Sequence, residues 1–202
     1  MRSFMVGAVV FAAVLSACST DDGRDMAPPR PDQQESVAPM TTVNDPGSFD
    51  SLPDPSEGAF SIDGPWGNDE PIDSRYTCDG RDFSPPLSWS GAPSDVVAFA
   101  IVMSDLDAPE YAHWTVANID PQVRTANEGQ VPPLAVVAQN DKGTATYTGP
   151  CPPKGQTHTY QISIYALGQV LEAQTGDPAP AMRAAIETAA LDIATTTFTY
   201  SR

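Results

Sequence analysis

Beyond about residue 59 the commonest pattern is alternation of apolar and polar side chains, and it predicts strands. Val96 to Asp105 (VVAFAIVMSD) is apolar nearly throughout, as a central strand covered on both faces would be. Its alternation sets Val97, Phe99, Ile101, Met103 and Asp105 on one side. Ala112 to Ile119 (AHWTVANI) reads as the next strand, with His113, Thr115, Ala117 and Ile119 sharing a face. From His158 to Leu167, His158, Tyr160, Ile162, Ile164 and Ala166 form one face, and Thr159, Gln161 and Ser163 begin the other. Short strands are expected around Phe60 to Ile62, Leu87 to Ser90 and Leu134 to Gln139, with Thr196 to Ser201 closing the set. One segment has helical spacing, Pro178 to about Ala194. Asp177 is placed to cap it and Pro178 suits its first turn. Met182, Ala185, Ile186, Ala189 and Ile193 give it an apolar stripe for core packing. The sum is a mainly antiparallel β domain with one late helix.

The chain before residue 59 follows other rules. Arg2 and the apolar run Phe4 to Leu15, ending in Leu15-Ser16-Ala17-Cys18, read as a targeting segment over residues 1–17. The run is too short to span a bilayer as a helix. The tetrad resembles a bacterial lipobox, which implies lipidation of Cys18. An ordinary cleaved signal peptide is the other reading. Residues 18–58 are rich in Pro, Asp, Ser and Gln, with almost no apolar clusters. They read as a disordered tether of about 35 Å root-mean-square reach. Residues 59–202 then make one domain of ordinary size.

The formal net charge of −16 argues against nucleic acid as a partner and against adhesion to anionic lipid through a basic patch. Three cysteines suit an exported protein. With Cys18 lipidated, Cys78 and Cys151 remain as an even pair, each beside turn-forming residues, and a disulfide between them is expected. Two buried free thiols are the alternative.

The chemistry gathers around Tyr147 to Tyr160. Gly149, Pro150, Pro152, Pro153 and Gly155 make a stiff loop, which feeds a strand whose inner face begins with His158 and Tyr160. A pocket at the rim of the β core is one reading; a histidine capping the core through a carbonyl is the other. Asp105 falls on an apolar face, where a carboxylate needs a partner. The chain has only two histidines, His113 and His158, and both sit close to Pro- or Gly-shaped loops.

Four blocks occur in order: Arg75 to Trp89 (RYTCDGRDFSPPLSW), Asp105 to Pro109 with His113-Trp114, Gln139 to Gly143 (QNDKG), and Tyr147 to Gly155 (YTGPCPPKG) with His158-Thr159-Tyr160. Together they resemble the phosphatidylethanolamine-binding protein family, most of all its bacterial Raf-kinase-inhibitor-like branch, from about Phe60 to Arg202. The resemblance implies a β-sandwich of two antiparallel sheets with a peripheral C-terminal helix. It also implies an anion cavity lined by Asp105, Asp107, Pro109, His113, Gly149, Pro150, His158 and Tyr160. Two positions depart from the family pattern: Leu106 stands for a proline, and Thr159 for an arginine, so a cation is missing.

The residues support the same chemistry. Imidazole N–H groups, the Tyr160 hydroxyl and amides near Gly149 and Cys151 can donate to an oxyanion. Asp105 would fix a histidine tautomer, and anion affinity should rise as pH falls through the histidine range near ~6.5. The expected function is a membrane-anchored, extracytoplasmic binding module for a small anion or phospholipid headgroup. A protein-interaction or inhibitor role, as described for relatives of kinase- and protease-inhibitor type, is the alternative. A second copy of the chain is left open as a partner. No cofactor or metal is expected, and neither is catalysis, since the chain has no G-x-S-x-G elbow and no HExxH.

Overall fold

The computed structural model describes residues 58–202. The targeting segment, Cys18 and nearly all of the tether lie outside them. Alternating segments pair into two sheets. Strands β1 (Ser61–Asp63), β2 (Leu87–Ser90) and β5 (Thr125–Ala126) make a small sheet in the order β1-β2-β5. Strands β3 (Ala98–Asp105), β4 (Ala112–Ile119), β6 (Val136–Val137), β7 (Thr157–Leu167) and β8 (Ala190–Ser201) make a large one, ordered β6-β4-β3-β7-β8. Every pair of neighbouring strands is antiparallel.

The unbroken apolar run of β3 has the cause the pattern predicts, because both of its faces are covered. Phe99, Ile101 and Met103 pack with Trp114, Ile162, Ile164 and the small sheet's Ile62, Leu87 and Trp89. Ala98, Ala100 and Val102 turn the other way, onto helix α1 (Ala179–Ala189) through Met182 and Ile186. Each large side chain buried this way contributes about 1.5–3 kcal/mol. The fold is thus a β-sandwich with α1 on the outer face of the large sheet. Among the described residues no helix is long and apolar enough to cross a membrane.

Several local expectations are corrected. The helix stops at Ala189, and β8 starts at Ala190, six residues earlier than expected. Pairing with β7 explains this: Ile193 lies opposite Tyr165 as a strand residue and is 46% exposed, so it belongs to no helical stripe. Asp177 does not cap α1. Its Oδ2 accepts from the Gln174 N–H, and Pro178 holds the N-cap position without a side-chain bond. The strand expected over Leu134 to Gln139 shrinks to two residues, because Leu134 adopts φ +64° and is solvent-exposed.

The faces of β4 are also not those that simple alternation predicts. Met103 pairs with Trp114 but Ser104 pairs with Ala112, which leaves His113 as the extra residue of a β-bulge. A second irregularity sits at Asn118, with φ +57°. Thr115 and Ala117 therefore face α1, where Arg183 Nε donates to Thr115 Oγ1 at 3.2 Å. His113 is turned to the inner side with Trp114, and Ile119 returns to that core.

Candidate functional site

At one end of the sandwich, β3, β4 and β7 deliver Asp105, His113, His158 and Tyr160, and the loop before β7 closes over them. A cavity of about 270 Å³ is lined by Tyr111, His113, Lys142, Gly149, Cys151 and Tyr160. Of the sequence-derived set, His113, Gly149 and Tyr160 form its wall.

His113 is buried and its Nδ1 donates to the Thr148 carbonyl at 2.8 Å, which directs Nε2 away from that strut. Burial pushes its pKa below the ordinary 6.5, against the opposing pull of the Thr148 carbonyl and of the Asp105 charge. The ring is packed tilted against Tyr111 and edge-on to Tyr160.

Tyr160 is fully buried, yet its hydroxyl has no hydrogen-bond partner among the described residues. Burial, aided by the charge and nearby acceptor oxygens of Asp105, raises its phenol far above the usual range, while the nearby Cys151 amide works the other way; neither group meets the hydroxyl in hydrogen-bond geometry. The group therefore stays an O–H donor. An unpaired buried donor is uncommon and costly, and this one borders a cavity.

Asp105 and His158 meet beside that wall, with Nδ1 donating to Oδ2 at 2.7 Å. Asp105 Oδ1 accepts from the amides of Asp107 and Ala108. Asp107 Oδ2 accepts from the Thr159 N–H at 2.7 Å. Asp105, Asp107 and His158 each bring a ligand atom within 4.8 Å of the others. Those contacts engage the cluster with itself, and His158 Nε2 lies 3.2 Å from Gln156 Oε1. The tautomer-fixing role expected of Asp105 thus falls on His158.

The remaining expected residues act through the backbone. Gly149 is required for close approach: a Cβ there would lie 2.2 Å from the Tyr76 carbonyl oxygen and 2.7 Å from Asp82 Oδ1. Its N–H is committed to Asp82 Oδ1 at 2.7 Å, so it does not face the cavity as an anion donor. Pro150 is buried and its carbonyl accepts from the Cys78 N–H at 3.1 Å. Pro109 borders a neighbouring, shallower depression that shares Tyr111. The expected disulfide Cys78–Cys151 is present, with Cα atoms 5.4 Å apart, and it fixes one wall of the cavity.

Residue-by-residue reading missed Tyr111, Asp82 and Lys142. The lysine is the cation of the wall, and its Nζ lies 3.6 Å from Asp82 Oδ2. The signal was present, since Lys142 and Asp82 both fall inside the blocks that carried the resemblance.

A model of the family described as phosphatidylethanolamine-binding protein matches residues 64–201. The chain belongs to that family. Among its relatives is a UPF0098 protein of Methanothermobacter thermautotrophicus, 44% identical over 112 residues, covering 52% of this chain and 74% of that one. A UPF0098 protein of Mycobacterium bovis is 38% identical over 125 residues, covering 59% of this chain and 60% of the relative. The solved Escherichia coli YbcL, described as a member of the mammalian family, superposes with a TM-score of 0.68 at 28% identity, over 72% of this chain and 99% of that one. A phosphatidylethanolamine-binding protein homologue from Chlamydia trachomatis gives a TM-score of 0.65 at 30% identity, over 71% and 98%. Phosphatidylethanolamine-binding proteins are generally non-catalytic binding or inhibitor modules, in keeping with the expectation that this chain is not an enzyme.

Proposed function

We propose that the domain is a receptor for a small oxyanion, a phosphate, a phosphoryl headgroup or a carboxylate, seated against Tyr160 and His113. The observation that carries this reading is the unpartnered Tyr160 hydroxyl, fully buried and bordering a cavity that also has a lysine in its wall. A bound oxygen gives that O–H the acceptor it lacks. Asp105, Asp107, Pro109, Gly149, Pro150 and His158 shape and stiffen the seat. Titration calorimetry of the purified protein with phosphate and with acetate tests the reading. Saturable binding that weakens in Tyr160→Phe supports it, and no heat with either anion refutes it.

The same proposal places the domain in the Raf-kinase-inhibitor-like branch of the family. It is carried on the 18–58 tether from a lipid on Cys18, at the extracytoplasmic side of the cell membrane. The order of Leu15 to Cys18 and the polar stretch that follows support this. Membrane fractionation of the full chain beside Cys18→Ser checks it: the variant should leave the membrane pellet, and equal sedimentation of both would reject the anchor.

A further inference from the structure

We propose that Lys142 supplies the positive charge that holds the anion, turning from Asp82 to the ligand, and that the cavity thereby accepts a terminal phosphoryl group. The assignment rests on the anion reading above and deepens it.

The cavity lies in an unfavourable field for an anion. Asp82 stands behind Gly149, Asp105 lies next to Tyr160, and burial holds His113 toward its neutral form. Lys142 is the one Lys or Arg side chain of the wall; the charge of Arg183 also reaches His113, but from the helix side of the sheet, so Lys142 is the cation placed to touch a ligand. Thr159 stands where the family resemblance leads one to expect an arginine. Its amide is occupied by Asp107, so that position supplies no cation.

Lys142 is mounted to move without disturbing its surroundings. Its backbone is held by buried Asn140, whose Oδ1 accepts from the amides of Lys142 and Thr144 at 3.0 Å each. Its side chain is 47% exposed and touches Asp82 only at 3.6 Å. A half-exposed ion pair of that length is weak and easily exchanged. An ammonium on a flexible stem can re-aim its donors. Asp82 meanwhile stays in place, because its other oxygen holds the Gly149 amide. The attraction to Lys142 grows with the ligand's charge, as does the repulsion from Asp82 and Asp105, so the lysine is what makes a phosphoryl group tolerable there.

The test is calorimetry with inorganic phosphate at a pH where it is largely dianionic, on wild type, Lys142→Met, Lys142→Arg, Asp82→Asn and the Asp82→Asn/Lys142→Met double variant. Thermal melts confirm that each is folded. Loss of the charge-assisted contact should weaken binding by about tenfold or more, and Lys142→Arg should restore most of it. Asp82→Asn keeps an acceptor for Gly149 and frees Lys142, so it should tighten binding, and that gain should vanish in the double variant. Phosphate binding unchanged by Lys142→Met overturns the assignment while leaving the anion reading intact. A wild type that binds acetate but no phosphate also overturns the assignment, and one that binds neither removes the anion reading with it. Vesicles carrying a phosphomonoester lipid, with and without competing phosphate, distinguish a headgroup from the free ion as the source of that phosphoryl group.

Discussion

The His113 ring stands edge-on to Tyr160, with planes at 89° and centroids 5.5 Å apart. That contact joins a bulged residue of β4 to the inner face of β7 and leaves the Tyr160 hydroxyl beside the cavity without a partner. Tyr160→Phe keeps the ring and removes only the orphaned donor. Stability should therefore hold or rise, by up to about 1 kcal/mol, because an unmade buried hydrogen bond is a cost to the unliganded protein. Phosphate affinity should fall by about tenfold. A melt paired with calorimetry reads both, and a loss of stability with unchanged affinity would assign the hydroxyl to structure.

The His113 pKa gives a pH dependence with a definite sign. Its folded value lies below 6.5, so above that pH the folded and unfolded forms are both mainly neutral and burial of the ring is unopposed. As pH falls from 6.5 towards the folded value, the unfolded state binds the proton first, and stability drops. Denaturant midpoints should decline through this window in wild type and less steeply in His113→Gln. Anion affinity should move oppositely, rising at pH below 6.5 as Nε2 acquires a proton. Sulfate is the suitable probe, because its charge does not change there.

The Cys78–Cys151 bridge closes a separation of 73 residues, and Cys151 lines the cavity. Replacing both cysteines by serine should cost about 2–5 kcal/mol of stability. Because the bridge ties the loop before β7 to the segment carrying Asp79 and Asp82, the double variant should also bind phosphate more weakly. Equal melting temperatures for the variant and wild type would count against the staple.

Gly149→Ala places a methyl against the Tyr76 carbonyl, which the Tyr147 hydroxyl holds, and against the Asp82 carboxylate bonded to the residue's own amide. Overpacking of this kind costs about 1–3 kcal/mol. Chemical denaturation measures the loss, and crystals of the variant should show the 147–151 backbone moved away from Asp82.

The faces of β3 and β7 were legible because nothing interrupts their alternation near the site. Alternation thus put Asp105 on the apolar face of β3 and His158 and Tyr160 on that of β7, the resemblance implied that they share a cavity, and Asp105↔Tyr160 is an observed pair. The alternation of β4 misled because two irregularities, at His113 and Asn118, reset it without any marker as plain as glycine or proline. The end of α1 was overrun because Ala190 to Ala194 suits a helix on local grounds, whereas pairing with β7 settles it as strand. Lys142 was passed over because a loop's place over a cavity depends on tertiary contacts that no period in the sequence encodes. The disulfide was legible once Cys18 was set aside as the lipidated residue, since the two cysteines left both stand beside turn-forming residues.

The bulge at His113 makes the site sensitive to chain length and not only to residue identity. Deleting Ala112 would restore strict alternation in β4 and carry the imidazole through the sheet to the helix side, with every side chain of the site retained in the sequence. A deletion of Ala112, which alters the chemistry of no ligand-facing group, should therefore silence binding as completely as removing the histidine.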